Sequence, residues 1–189
     1  MNKHKIILGR SMIFLVITMF ACTIFIGGPE YPDQRIPFSP DSVDELQQAV
    51  QTAVAAATES GMLTITINEI QLTSYLVNRL ETQDEQFLRD AQAYLRDGQL
   101  QIYGTARQGF FEATGSIILT PTINDLGQLE LILTSVDFGP LPLPQGFLDA
   151  VTAVITEAYT GALGPIATGF RIEGVSVTNG FLSISGRVR

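Results

Sequence analysis

The sequence is poor in the residues that most often carry catalytic or metal chemistry. Its 189 residues include one histidine, His4, one cysteine, Cys22, and no tryptophan. Both His4 and Cys22 precede the part predicted to fold. That part therefore lacks the general base of a histidine-dependent triad and the nitrogen and sulfur ligands of a zinc site. A single cysteine also excludes a disulfide within the chain.

Charge is scarce and unevenly distributed. Charged residues make up 16% of the chain, against about 25% in an average soluble domain. No lysine occurs after Lys5, and no acid occurs before Glu30. From Pro29 onward eight arginines stand against 19 acids, a formal net charge of −11. A domain this acidic repels phosphate backbones, so no nucleic-acid partner is predicted.

The N-terminal region contains a long run without charge. Ser11 to Gly28 holds 18 uncharged residues, and Met12 to Ile26 is apolar apart from two threonines. At about 1.5 Å per residue the run spans roughly 27 Å, close to the hydrocarbon thickness of a bilayer. Cations precede the run and acids follow it, which places the N-terminus in the cytoplasm. We therefore predict a cytoplasmic tip and transmembrane signal anchor over residues 1–28, in a single-pass protein of the cytoplasmic membrane.

Two alternatives to this anchor remain open. The run is also compatible with a cleaved signal peptide. Met19 to Cys22 loosely resembles a lipobox, which makes Cys22 a candidate lipid-attachment site. All three interpretations place the remainder of the chain outside the cytoplasm.

A proline-rich segment follows the run. Pro29 to Pro40 contains four of the nine prolines. Such density favours an extended spacer of about 3.1 Å per residue. We predict a linker over residues 29–41 and a single extracytoplasmic α+β domain over residues 42–189.

Helical spacing of apolar residues predicts up to three amphipathic helices. They run from Ser42 to Gly61, from Asn68 to Leu80, and across the apolar positions between Phe147 and Ala158. Ser42 with Glu45 forms a capping-box pattern, and Asn68 with Gln71 offers a second cap. A left-handed glycine is expected to close the first helix.

Alternating apolar residues and turn dipeptides predict antiparallel hairpins. Asp97-Gly98 and Asn179-Gly180 each separate two alternating runs, the strongest short signal for a tight hairpin. The predicted strands are Met62–Ile67, the runs on either side of Asp97-Gly98, Phe110–Thr120, Gln128–Phe138, Phe170–Thr178 and Phe181–Val188. Both hairpins share the pattern [DN]-G-x-L-x-I-x-G-x-[AV]-R, which suggests a duplicated unit. Its inner glycines, Gly104 and Gly186, are expected to mark bulges or bends.

Several of these segments resemble a bacterial envelope family. Ile67 to Leu76 (INEIQLTSYL) and Arg96 to Gly104 (RDGQLQIYG) resemble the helix start and hairpin of YpmS-like proteins. Gly139 to Pro144 (GPLPLP) and Val177 to Ile184 (VTNGFLSI) also fit the LmeA-like phospholipid-binding proteins. The resemblance spans about residues 62–189. It implies an anchored extracytoplasmic protein of tubular lipid-binding type, and the family offers no catalytic motif to transfer.

The fold class that we predict is α+β. An N-terminal membrane helix precedes a curved antiparallel sheet of hairpins, which wraps on two or three amphipathic helices. A curved sheet can leave an apolar groove against its helices, and such a groove suits an acyl chain. The predicted groove residues are Leu72, Leu76, Leu80, Phe110, Phe111, Phe147, Val151, Ile155 and Phe170.

These observations predict a membrane-anchored extracytoplasmic binding protein for a lipid or other apolar ligand. The alternative is an envelope scaffold with a filled core that contacts another envelope protein. Neither hypothesis requires an enzyme, a cofactor or a metal. Strand-borne candidates for a carboxylate pair are Glu112, Asp137 and Glu173, whose spacing does not single them out. Asp84-Glu85 lacks the ligand spacing of a calcium loop.

Overall fold

The structure, a computed structural model, describes residues 23–81, 88–141 and 164–189. Its helices are α1 (Pro40–Ser60), α2 (Glu69–Glu81) and α3 (Gly164–Gly169). Its strands are β1 (Ile24–Phe25), β2 (Met62–Asn68), β3 (Leu88–Arg96), β4 (Gln99–Gln108), β5 (Phe111–Ile123), β6 (Leu129–Asp137), β7 (Phe170–Thr178) and β8 (Phe181–Val188). Strands account for about 50% of the structure.

The strands form two sheets instead of the single curved sheet that we predicted. In the first sheet β3, β4 and β5 are antiparallel neighbours, and β6 and β1 pair with the other side of β5. In the second sheet the order is β2-β8-β7. The predicted fold class, one sheet wrapped on amphipathic helices, is therefore wrong. Alternation reveals which face of a strand is buried but not which strand pairs with it, and β2 pairs with the distant β8.

The predicted membrane helix is also contradicted. Among the described residues, no helix combines the length and the apolar character needed to cross a bilayer. The end of the apolar run, Ile24–Phe25, is strand β1 and pairs in parallel with Phe111 and Glu112 of β5. The transmembrane signal anchor over residues 1–28 and the single-pass location are therefore wrong predictions. Residues 1–22, including Cys22 and its lipid-attachment alternative, lie outside the described residues.

The core lies where α1 and α2 meet the two sheets. Leu46 and Val50 of α1 pack with Leu63, Ile65 and Ile67, which alternate along β2. Helix α2 contacts β3, and the buried Thr73 hydroxyl accepts a hydrogen bond from the Ala93 N–H at 2.9 Å. Burial on this scale is the dominant favourable contribution to folding.

One of the two predicted helix caps is confirmed. Asn68 Oδ1 accepts the Gln71 N–H at 2.8 Å, and Gln71 Oε1 accepts the Asn68 N–H at 3.1 Å. The Ser42–Glu45 box is wrong, because α1 begins earlier, at Pro40, after Ser39. Proline at the first helical position has its φ preset for the helix. Gly61 ends α1 in the left-handed conformation, as predicted.

The predicted hairpins are confirmed together with their turns. Asp97-Gly98 joins β3 to β4 and Asn179-Gly180 joins β7 to β8, with positive φ at all four residues. The pairing shifts register opposite Gly104 in the first hairpin and beside Gly186 in the second. The shared sequence pattern therefore corresponds to a shared bulge in the two hairpins.

Residues 29–39, which we call the strap, pack across the first sheet and do not form a free spacer. Ile36 is buried, and its N–H donates to Gln92 Oε1 at 3.2 Å. Gln92 Nε2 donates to the Ile36 carbonyl at 3.3 Å, so the side chain acts as a pairing partner for the strap backbone. The Tyr94 hydroxyl lies 2.6 Å from Gln92 Oε1 and 3.1 Å from the Gln34 carbonyl oxygen.

Aromatic rings extend this contact along the strap. Tyr31 of the strap lies 5.9 Å from Tyr103, which in turn makes an edge contact with Tyr94 at 5.7 Å between ring centroids. Arg35 lies over the Tyr31 ring and Arg96 lies over the Tyr94 ring. Such ring and cation–π contacts add directional stabilisation to burial. Both faces of β3 are consequently covered, one by α2 and the other by the strap.

Candidate functional site

The predicted groove residues on α2 and β7 belong to the core. Leu76 and Phe170 are buried, while Leu72 and Leu80 are partly buried and pack against the same cluster. A side chain that already fills the core offers little surface to a ligand. Phe147, Val151 and Ile155 lie outside the described residues.

The two remaining members, Phe110 and Phe111, lie at the surface. They are 55% and 47% exposed, at the turn that leads from β4 into β5. Gly109 makes this turn with a φ of 62°, and its carbonyl accepts a hydrogen bond from Arg107 Nε at 3.1 Å. The turn therefore presents two aromatic side chains to solvent on a fixed backbone.

Strand β1 brings two more apolar side chains to the same place. Ile24 pairs with Phe111, and its N–H donates to the Phe110 carbonyl at 2.7 Å. Ile24 is 53% exposed and Phe25 is 63% exposed. We call Ile24, Phe25, Phe110 and Phe111 the apolar tip. Because successive residues of a strand point to opposite faces, Ile24 and Phe111 lie on one face of this end of the sheet and Phe25 lies on the other. Large apolar side chains exposed together at one end of a sheet are typical of interaction surfaces.

Two residues of opposite charge flank the tip. Arg107 of β4 and Glu112 of β5 lie directly opposite each other in the strand register. The tip itself has no ionisable side chain, so its chemistry is limited to apolar and aromatic contact. Burying a large apolar side chain is worth about 1.5–3 kcal/mol when its whole surface leaves water.

Half of the tip is predictable from the sequence. Phe110 and Phe111 are predicted ligand contacts, whereas Ile24 and Phe25 belong to the predicted membrane run. The missed signal is the break that Gly27-Gly28 imposes after the run, with φ of 106° and 118° at the two glycines. Two consecutive left-handed residues do not continue a helix, so the apolar residues before them are free to pair as a strand.

The structure places the strand-borne carboxylates at different positions, and Asp137 lies opposite Ser116, four residues along β5 from Glu112. Glu112 and Asp137 belong to the first sheet, and Asp137 Oδ1 accepts the Gly139 N–H at 2.8 Å. Glu173 belongs to the second sheet and lies 3.1 Å from Arg187 Nε. Within residues 23–81, 88–141 and 164–189, no group of three histidine, cysteine or acidic side chains is placed to hold a metal ion. Asp84-Glu85 lies outside the described residues.

Comparisons with known proteins add no assignment: no family model, curated protein or solved structure matches the chain. The resemblance to YpmS-like and LmeA-like proteins therefore stays a prediction.

Proposed function

We propose that this protein is a non-catalytic binding protein that contacts lipid through the apolar tip. The observation that carries the proposal is the joint exposure of Ile24, Phe25, Phe110 and Phe111 at one end of the first sheet. In the groove predicted from sequence, the described side chains are divided between the core and this tip. The tip therefore replaces the groove as the lipid-contacting surface.

The charge of the chain favours neutral lipid headgroups. The part from Pro29 onward has a formal net charge of −11, which repels an anionic surface. Apolar contact does not depend on headgroup charge and responds weakly to salt. We therefore expect binding to phosphatidylcholine vesicles that persists at high salt and weakens as anionic lipid is added.

A tryptophan placed in the tip tests the contact directly. The chain has no tryptophan, so Phe110→Trp introduces a unique fluorescent reporter into the full-length protein. We expect its emission to shift to shorter wavelength and to be quenched by brominated lipid when vesicles are added. Because the reporter responds to its own surroundings, it separates contact through the tip from contact through any other part of the chain.

Phe181→Trp is the matched control. Phe181 is 49% exposed, similar to Phe111, but it belongs to β8 in the second sheet. Quenching at position 110 and not at position 181 supports the proposal. Equal quenching at both positions, or none at either, contradicts contact through the tip.

An interaction protein with a filled core is the second candidate function. It is favoured by the burial of Leu76 and Phe170, two of the predicted ligand contacts. Native mass spectrometry of the full-length protein after incubation with phosphatidylcholine vesicles distinguishes the candidates. A lipid-sized added mass favours lipid binding, and an unchanged mass combined with a silent tip reporter favours the interaction protein.

A further inference from the structure

On the edge of β2 that faces away from β8, some backbone groups have no hydrogen-bond partner among the described residues. Gly61 pairs with Val188 and Glu69 pairs with Gly180 through backbone hydrogen bonds on the β8 side. Alternation in an antiparallel pair then directs the N–H and C=O groups of the even-numbered residues of β2 to the opposite edge. In the described part of the chain, no hydrogen bond reaches the backbone of Thr64 or Thr66 on that edge.

At both ends of this edge, side chains supply hydrogen-bond partners for the backbone groups of β2. The Met62 N–H donates to Ser60 Oγ at 3.3 Å, and Ser60 Oγ donates to the Met62 carbonyl at 3.1 Å. The Asn68 N–H donates to Gln71 Oε1. The open section is therefore bounded, and it comprises Thr64 and Thr66, both of which are exposed.

An open groove of about 500 Å³ follows this section of the edge. Residues of β2 form one side, and α1 forms the other with the small side chains of Ala49, Ala53 and Ala56. Its volume lies within the roughly 300–1,000 Å³ typical of ligand sites. An edge strand facing a helix across a groove is the arrangement in which a domain can accept an added extended strand.

The other long edge strands are protected against such pairing. The pairings of β3, β6 and β7 each contain a register shift, and bulges of this kind discourage strand addition. The pairing of β2 with β8 runs without a shift from Met62 to Asn68. Strand β2 also has no proline and no charged residue. Its open edge lacks the usual protective devices.

The acidic residues of α1 indicate the charge of a segment that would bind in the groove. Helix α1 contains Asp41, Asp44, Glu45 and Glu59 and no basic residue. Glu45 lines the groove itself. An approaching basic segment is attracted to this helix, and an acidic one is repelled.

We propose that β2 accepts an extended, basic segment of a partner protein as an added strand between β2 and α1. The backbone N–H and C=O groups of Thr64 and Thr66 supply the hydrogen bonds, and Glu45 selects for a cationic side chain. This site belongs to the second sheet and is independent of the apolar tip. A domain that binds lipid at the tip can therefore bind a protein segment at β2.

The test selects peptides from a random phage-displayed library on the full-length protein and measures their affinities for variants. Thr64→Pro removes an outward N–H, and its ring obstructs the edge without removing a bond to β8. We expect the selected peptides to be rich in arginine or lysine. Their affinity for Thr64→Pro should be about tenfold or more lower than for the unaltered protein. Thr64→Val, which keeps the backbone donor, is the matched control and retains binding.

Two further measurements keep the test decisive if Thr64→Pro fails to fold. In the first, N-methylation of alternate amides in a selected peptide removes its backbone donors and abolishes binding to the unaltered protein. In the second, Glu45→Gln weakens the preference of the protein for basic peptides. Phe110→Ser leaves peptide affinity unchanged, which separates this site from the tip. The inference is overturned if no peptide is enriched, or if N-methylated peptides bind as tightly as their parents.

Discussion

Replacing Gln92 by alanine should loosen the strap and destabilise the domain. The variant removes the side chain that pairs with both the N–H and the C=O of Ile36. Ile36 is only 7% exposed, so both groups lose their partner in a place with little access to water. A buried polar group left unsatisfied costs about 1–3 kcal/mol. Two such groups give an expected loss of about 2–6 kcal/mol in the free energy of unfolding.

Urea denaturation followed by circular dichroism measures this loss, and amide hydrogen exchange at Ile36 locates it. The expected change is a large fraction of the roughly 5–15 kcal/mol that stabilises a typical domain. Gln101→Ala is the matched control, because Gln101 pairs with Tyr94 in the β3–β4 register and is only half-buried. We expect that control to change stability by less than about 0.5 kcal/mol.

Equal unfolding free energies in Gln92→Ala and Gln101→Ala would contradict this role of Gln92. An Ile36 amide that exchanges at the same rate in Gln92→Ala as in the unaltered protein would contradict it as well. Either result would mean that the strap does not depend on the Gln92 side chain for its position.

Three further perturbations address packing, capping and alkaline stability. Gly115→Ala should lower the melting temperature by overpacking, at a cost of about 1–3 kcal/mol, because a methyl group there would overlap the Phe138 ring. Asn68→Ala should cost about 1 kcal/mol in urea denaturation, since it removes the acceptor for the Gln71 N–H. Burial raises the pKa of the Tyr94 phenol above its ordinary value of 10.0, against the lowering effect of Arg96 and Arg35. The resulting stabilisation is therefore fully present below pH 10 and is lost as pH rises through the folded-state pKa, so Tyr94→Phe should show a smaller alkaline loss.

Each of these three predictions has an internal comparison. Gly169→Ala meets no atom within 4 Å and should leave the melting temperature nearly unchanged. Ser39→Ala should cost less than Asn68→Ala, because Ser39 makes no side-chain cap. Equal losses within either pair would contradict the packing or the capping argument. An alkaline loss as large in Tyr94→Phe as in the unaltered protein would assign that loss to other groups.

Local structure was predicted where a few neighbouring residues determine it. Asp97-Gly98 and Asn179-Gly180 fixed both hairpins, because few residues adopt positive φ at two consecutive positions. The Asn68–Gln71 cap followed from spacing alone. The Ser42–Glu45 box is not the helix start, because the helix already begins at Pro40. Ser42 therefore lies inside the first turn, although its spacing to Glu45 fits a capping box.

Long-range arrangement could not be predicted in the same way. The second face of β3 includes Gln92 and Tyr94, and its polar or amphipathic residues alternate with the apolar ones. In the structure the strap covers that face, and the polar atoms are satisfied by strap backbone. The composition of the strap suggested a spacer, since proline-rich chain is extended whether it is solvated or packed. A free spacer and a packed strap are distinguished by the hydrogen bonds that Gln92 and Tyr94 make to the strap backbone.

The tip and the strap are parts of one continuous crossing of the first sheet. Strand β1 runs beside β5, and the Thr114 N–H donates to the Gly27 carbonyl before the chain turns onto the sheet. A side chain at Gly28 would overlap the Thr114 carbonyl, and one at Gly139 would meet the Gly28 backbone. The turn is therefore closely packed, and it ties the position of Phe25 in the tip to that of Tyr31 in the strap. A variant that frees the strap, such as Gln92→Ala, should consequently change the exposure of the tip. Under the function proposed above, Gln92→Ala should therefore also change the response of the tip reporter to vesicles.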